Sequence, residues 1–184
     1  MSTIRPGQPA PRLSFEVYTR GERQPTRVSL AELRGRWVVR FFYPRDFTFV
    51  CPTELQVLAQ LELAFRAEEA AILAASTDSY YAHQAWFEGD RRLRAVRYPV
   101  VADTDHRLSE ALGVLLDDGT ALRGTFLIDP DGIVRYVQVN ALDVGRNVAE
   151  TLRLLRAYRT GELCPVGWQP GQPTLSELLR AQAA

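Results

Sequence analysis

The sequence predicts an α/β fold: a mixed central sheet flanked by helices. Three observations predict it. Short apolar, β-branched stretches alternate with segments of helical periodicity through the first two thirds of the chain. Two strand-like runs then follow each other directly across Asp129-Pro-Asp-Gly132, whose residues favour a tight turn. An amphipathic helical stretch comes after them. The 184 residues are 46% hydrophobic, enough to bury one sizeable core, and contain no repeat, low-complexity tract or linker.

Each element has a local reason. Residues 1–11 are rich in Pro and Gly and read as an extended arm. Leu13 to Tyr18 alternates apolar and polar residues, the period of a half-buried strand. Ser29 to Leu33 reads as one helical turn capped by Ser29. Arg36 to Tyr43 is β-branched and aromatic, a strand that Pro44 ends. Leu55, Leu58, Leu61 and Phe65 share one helical face, and Pro52 suits the first turn, so one helix is predicted there. Ala71 to Ser76 is a short apolar strand, Tyr80 to Phe87 a helix, Tyr98 to Ala102 a strand and Arg107 to Leu112 a helix. Gly124 to Ile128 and Ile133 to Val139 form the hairpin. Val148, Leu152, Leu155 and Tyr158 place a helix at about 146–159, and a last helix is predicted at Leu175 to Arg180. A βαβ unit followed by a hairpin and a helix is the layout of the thioredoxin fold, here with an N-terminal extension and an insertion at 79–97. Residues 1–160 are expected to form the domain, and 161–184 a C-terminal segment of the same structural unit.

Composition excludes several functions. Basic and acidic side chains balance at 22 each, so no net field draws the chain to nucleic acid or a membrane. All the basic residues are arginine, scattered among acidic ones, which fits codon bias and not a nucleic-acid footprint. The N-terminal residues lack the apolar stretch of a secretory signal, and no apolar run is long enough to span a bilayer. A cytoplasmic location is expected. There, two cysteines are poor candidates for a static disulfide. Inert thiols, a metal pair and redox chemistry stay open. Cys51 and Cys164 are 113 positions apart, with no Cys-x-x-Cys and no second cysteine at zinc-ligand spacing.

Cys51 carries the chemical signal. It sits where a helix opens, so free backbone N–H groups and the positive end of the helix dipole favour thiolate over thiol. Thr48 is one helical turn earlier, and the ring of Pro44 can shield a thiolate from water. A magnitude limits this argument. An ordinary thiol of pKa about 8.5 is roughly 3% ionised at pH 7, so complete ionisation gains only about 30-fold. Ionising more easily also lowers intrinsic nucleophilicity. A fast reaction therefore needs groups that orient the substrate and stabilise the departing atom, and arginine, always charged and forked, suits that task.

Pro44, Thr48 and Cys51 match the Pro-x-x-x-Thr-x-x-Cys signature of the peroxiredoxins. Phe41 to Leu55 resembles the active-site segment of the two-cysteine peroxiredoxins and of the peroxidatic subunit of alkyl hydroperoxide reductase. His83-Gln-Ala-Trp86 is similar to the family's His-x-x-Trp helix, and Arg123 to Asp129 resembles the strand carrying its active-site arginine. Val139-Asn140 through Val144-Gly145-Arg146 resembles the next segment, and Gly161 to Trp168 the resolving-cysteine motif. Five segments in the family's order are far more specific than one signature.

The resemblance implies a thiol-dependent peroxidase of antioxidant defence. Cys51 would attack hydrogen peroxide or an alkyl hydroperoxide and become a sulfenic acid. Thr48, the Cys51 backbone N–H and Arg123 would bind and polarise the peroxide, with Pro44 shielding and Glu54 and Arg146 orienting Arg123. Cys164 of a neighbouring subunit would resolve the sulfenate as an intersubunit disulfide, after local unwinding around Cys51. Thioredoxin or a dedicated flavoprotein reductase would then reduce it. No metal and no bound cofactor are implied. A homodimer through the strand at Ile133 to Val139 is implied, assembling into a decameric ring through residues near Phe47 and His83. A holdase chaperone or redox relay is the alternative on the same scaffold. The local readings remain beside these: Glu54 and Arg146 suit helix ends, Thr48 an N-cap, and His83 and Trp86 packing. Two departures are visible. Glu88-Gly-Asp-Arg-Arg92 replaces the Gly-Gly-Leu-Gly of peroxide-sensitive members, and their C-terminal Tyr-Phe helix is not matched. Resistance of Cys51 to overoxidation is therefore expected.

Overall fold

Seven strands form one mixed sheet in the computed structural model, which describes residues 4–183. The chain divides into two compact units with the boundary between Arg146 and Asn147. The first unit holds β1 (Ser14–Tyr18), β2 (Thr26–Ser29), β3 (Trp37–Phe42), β4 (Ala70–Ser76), β5 (Val100–Ala102), β6 (Arg123–Ile128) and β7 (Val134–Asn140), in the spatial order β2-β1-β5-β4-β3-β6-β7. β3, β4 and β5 run parallel, and the other pairings are antiparallel. The predicted mixed sheet is therefore present.

β3 is buried at all six positions, which is why its sequence reads as a nearly continuous apolar run and not as an alternation. The register sets Arg40 opposite Leu73 and Phe126, and Phe41 opposite Thr125. Successive side chains point to opposite faces, so Arg40 shares its face with Val38 and Phe42. That face belongs to a core that includes Phe15, Val17, Leu73 and Val101. Leu108 and Leu112, from the helix that follows β5, join it.

Helix α1 (Cys51–Gln60) follows β3 after an eight-residue loop, and α2 (Glu62–Ala67) follows α1. One helix was expected here. The break falls at Leu61 (φ −94°, ψ 0°), yet Leu61 N–H still bonds the Val57 carbonyl and Phe65 N–H the Leu61 carbonyl. The apolar face thus passes through the break without a change of period. Helices α3 (Tyr80–Gly89) and α4 (Arg107–Leu112) follow β4 and β5. Ser29 does cap a 3-10 turn, Leu30–Leu33, reciprocally with Glu32. β2 was not foreseen, because it is short, exposed and has no apolar period. Of the expected arm, residues 1–3 lie outside the described residues. Residues 7–10 run beside β7, with Gly7 N–H on the Val134 carbonyl and Ala10 N–H on the Gly132 carbonyl.

The second unit holds α5 (Val148–Arg159) and α6 (Leu175–Gln182). Asn147 caps α5, and Thr174 and Glu177 form a capping box on α6. The loop between them is tied to itself. Glu162 accepts from Arg180 at 2.6 Å and from the Thr174 hydroxyl, while Trp168 Nε1 donates to the Gln172 carbonyl at 2.9 Å.

Candidate active site

The loop from β3 to α1 is pinned by a buried polar network. Tyr43 is the first residue after β3 and donates its hydroxyl to Asp46 at 2.7 Å. His83, from α3, lies 2.7 Å from the other Asp46 oxygen through Nδ1 and 3.2 Å from the Val101 carbonyl through Nε2. A carbonyl only accepts, so Nε2 is the donor to Val101, and Nδ1 is the nitrogen that faces Asp46. Burial pushes the Asp46 carboxyl above its ordinary range, while the bonds to His83 and Tyr43 hold it back. Asp46 N–H donates to Asp78 at 2.8 Å, and Ser76 donates its hydroxyl to the same carboxylate. Phe47 then takes a left-handed conformation (φ 57°), uncommon for a bulky residue and held by these bonds on its flank. Sequence reasoning missed Tyr43, Asp46 and Asp78. Their signal was present only as polar residues next to the motif.

Cys51 is the first residue of α1 and is 1% exposed. Its sulfur lies 3.5 Å from Nη1 of Arg123, the first residue of β6. The same Nη1 donates to Glu54 at 2.7 Å, and the other Arg123 nitrogens hold the Leu142 carbonyl at 2.9 and 2.5 Å. Glu54 stands one helical turn after Cys51 and accepts three further bonds from Arg146: from the backbone N–H at 2.7 Å, Nε at 2.9 Å and Nη2 at 3.0 Å. Arg146 also donates to the Gly124 carbonyl and Thr125 hydroxyl, and its guanidinium lies 3.4 Å over the Phe41 ring. Burial draws the Arg146 guanidinium below its ordinary value against the pull of Glu54. Opposed charges thus surround a buried sulfur, and every one of them is fixed by hydrogen bonds before any substrate arrives.

Pro44, Thr48, Cys51 and Arg123 line one cavity of about 420 Å³, with Arg45, Asp118 and Asp143 at its rim. Glu54 and Arg146 buttress Arg123 from behind. Six of the seven residues singled out in the sequence are therefore brought together. Thr48 donates its hydroxyl to the Arg45 carbonyl at 2.9 Å and not to the sulfur, which leaves its oxygen as an acceptor on the cavity wall. It is not an N-cap: Val50 holds that position, with no side-chain capping bond. Arg146 does not open α5 either, since Asn147 caps it. His83 does not line the cavity and reaches the loop through Asp46. Cys164 belongs to the second unit, half-buried, its sulfur 3.5 Å from the Thr160 hydroxyl and 3.7 Å from the Ala157 carbonyl. Among the described residues no cluster of His, Cys, Asp and Glu could hold a metal ion, and no helix is long and apolar enough to cross a membrane.

A thiol at a helix start, facing a fixed arginine on a thioredoxin-like scaffold, defines a thiol-dependent peroxidase. The chain belongs to the AhpC/TSA family, whose model matches residues 6–137, and the model of the C-terminal domain of 1-Cys peroxiredoxin matches residues 157–177. It is 45% identical over 183 residues to peroxiredoxin prdx-2 of Caenorhabditis elegans, covering 95% of this chain and 90% of that one. It is 44% identical over 176 residues to the thioredoxin peroxidase of Echinococcus granulosus, covering 91% and 90%. The reduced 2-Cys peroxiredoxin of Plasmodium vivax superposes with a TM-score of 0.87 at 33% identity, over 97% of this chain and 98% of that one. The protein is a peroxidase of the peroxiredoxin type.

Proposed function

We propose that Cys51 is the peroxidatic cysteine of a two-cysteine cycle that reduces hydrogen peroxide and alkyl hydroperoxides. The observation that carries this reading is the 3.5 Å approach of Arg123 to the Cys51 sulfur, with Glu54 fixing Arg123 and Arg146 together. The thiolate attacks the terminal peroxide oxygen in line with the O–O bond. That bond breaks, sulfur gains the oxygen as a sulfenic acid, and the departing alkoxide or hydroxide takes a proton and leaves as alcohol or water. Arg123 and the Cys51 backbone N–H face the charge that develops on the oxygens. Thr48, its own proton engaged with Arg45, accepts from the peroxide O–H. The Pro44 ring keeps water off the sulfur.

Resolution follows when the thiol of Cys164 from a partner subunit attacks the Cys51 sulfenic sulfur. A disulfide forms and water leaves. A separate dithiol protein, thioredoxin or a flavoprotein-linked reductase, returns both cysteines to thiols and is itself oxidised. The cycle defends the cell against peroxides in the cytoplasm, in a homodimer that assembles into a decameric ring. The test is peroxide consumption with each reductase, for wild type, Cys51→Ser and Cys164→Ser, beside non-reducing gels. Peroxide should produce a crosslinked dimer that both substitutions abolish, and Cys51→Ser should remove turnover. Activity retained by Cys51→Ser would refute the assignment.

A further inference from the structure

The cavity over Cys51 carries a charge imbalance at its rim. Inside, the charges of Arg123 and Arg146 balance the Glu54 carboxylate and a Cys51 thiolate. At the rim, Arg45 donates to the Thr120 hydroxyl at 2.9 Å and to the Asp118 carbonyl at 3.3 Å, so its cation is strapped to the turn that bears Asp118. The Asp118 carboxylate accepts from Thr120 N–H at 2.8 Å, and that bond, with Arg45 nearby, holds it below its ordinary range. Asp118 and Arg45 therefore offset each other. Asp143 lines the same cavity and has no such counter-charge: among the described residues it enters no hydrogen bond or ion pair. It directly follows Leu142, whose carbonyl holds Arg123, so its place at the mouth is set by the same backbone that sets the arginine. Phe49, Val50, Leu142 and Pro44 supply an apolar lining.

We propose that Asp143 makes this site selective for uncharged hydroperoxides over hydroperoxides that carry a carboxylate. This rests on the peroxidase reading and adds substrate class to it. A neutral alkyl or aryl group contacts the apolar lining, while a carboxylate in the mouth meets one uncompensated negative charge. Two like charges about 6–8 Å apart at the screening of a surface cleft repel enough for a roughly three- to tenfold rate difference. Anionic hydroperoxides should also gain from salt, and neutral ones should not.

A matched pair tests it: cumene hydroperoxide and its 4-carboxy derivative, which differ by one carboxylate. The rate of Cys51 oxidation is followed in single turnover by tryptophan fluorescence, which needs no reductase. For wild type, the neutral compound should react about three- to tenfold faster, with the gap narrowing as salt is added. Asp143→Asn should close the gap by speeding the anionic compound alone, and Asp143→Lys should invert it. Equal rates in wild type, or a gap that survives Asp143→Asn, would overturn the inference while leaving the peroxidase reading standing. Failure of both compounds and of hydrogen peroxide to oxidise Cys51 would remove both.

Discussion

Two buried charged residues show how differently a charge fares inside this chain. Glu54 accepts four hydrogen bonds from two arginines and leaves neither oxygen unused. Glu54→Gln removes the charge but leaves both cations in place, and losing one partner of a buried pair costs about 3–5 kcal/mol. Chemical denaturation should show that loss, together with slower oxidation of Cys51. Arg40 is the opposite case. It is 0% exposed, none of its three side-chain nitrogens has a hydrogen-bond partner among the described residues, and its guanidinium lies 5.0 Å over the Phe15 ring. Asp103 offers some charge compensation, but its oxygens cap α4 through Leu108 and Ser109 N–H. Burial draws Arg40 down to about 9, well below its ordinary value. The unfolded chain thus holds this proton more tightly, so protonation opposes folding. The penalty is complete below about pH 9 and is relieved as pH rises from there towards the ordinary arginine range. Arg40→Met should stabilise the protein by about 1–4 kcal/mol near neutrality, with a smaller gain at about pH 10.5, read from urea midpoints. Cys51 and Thr48 were legible in the sequence through their spacing in the signature, and Arg123 through the resemblance of its strand. Arg40 was not, since a strand sequence shows that a residue is buried but not whether it finds a partner.

At the scale of elements, the loop before α1 and the helix itself have separate supports. The loop hangs on Asp46, which links Tyr43, His83 and, through its N–H, Asp78. Asp46→Ala should leave the β3 and α1 sequences intact yet speed amide exchange at residues 46–51 and slow peroxide reduction by about tenfold or more, because small misplacements of a reacting group are expensive in rate. The helix break at Leu61 was hidden from the sequence by its continuing face, and β2 by its lack of any apolar period. Neither miss falls on a residue that lines the cavity. The segment after α3 is a 3-10 turn, Arg91–Leu93, capped by Asp90. It packs against α1, and we propose that, standing in place of the Gly-Gly-Leu-Gly segment, it holds the first turn of α1 less firmly, so that Cys51 forms a disulfide before it can accept a second oxygen. Mass spectrometry during turnover with excess peroxide should then find disulfide, with little sulfinate. Early sulfinate would refute this.

For the molecule as a whole, two of the exposed large apolar side chains, Phe47 and Phe49, lie together in the loop before α1. Phe49 is 88% exposed, and Phe47 is 64% exposed with its ring 6.0 Å from that of Trp86. Side chains of this kind and size beside one another mark a contact surface. If this is the face through which dimers join into a ring, Phe49→Asp should shift the reduced protein from ring to dimer in sedimentation velocity. An unchanged profile would place the contact elsewhere. The sequence pointed to these residues only by resemblance, because exposure of an aromatic residue is a property of the folded chain. β7 forms one edge of the sheet, the position from which a second copy could extend it.

Glu54 and Cys51 share the first turn of α1, and this has a consequence for counting. An opening of that turn that sends Cys51 towards another thiol also carries Glu54 away from Arg123 and Arg146. The arrangement that receives an oxidant and the one that hands it on then exclude each other, as the positions of a turnstile do. In the proposed two-cysteine cycle each passage would then admit one peroxide, and the disulfides accumulated would become a tally of the peroxides met.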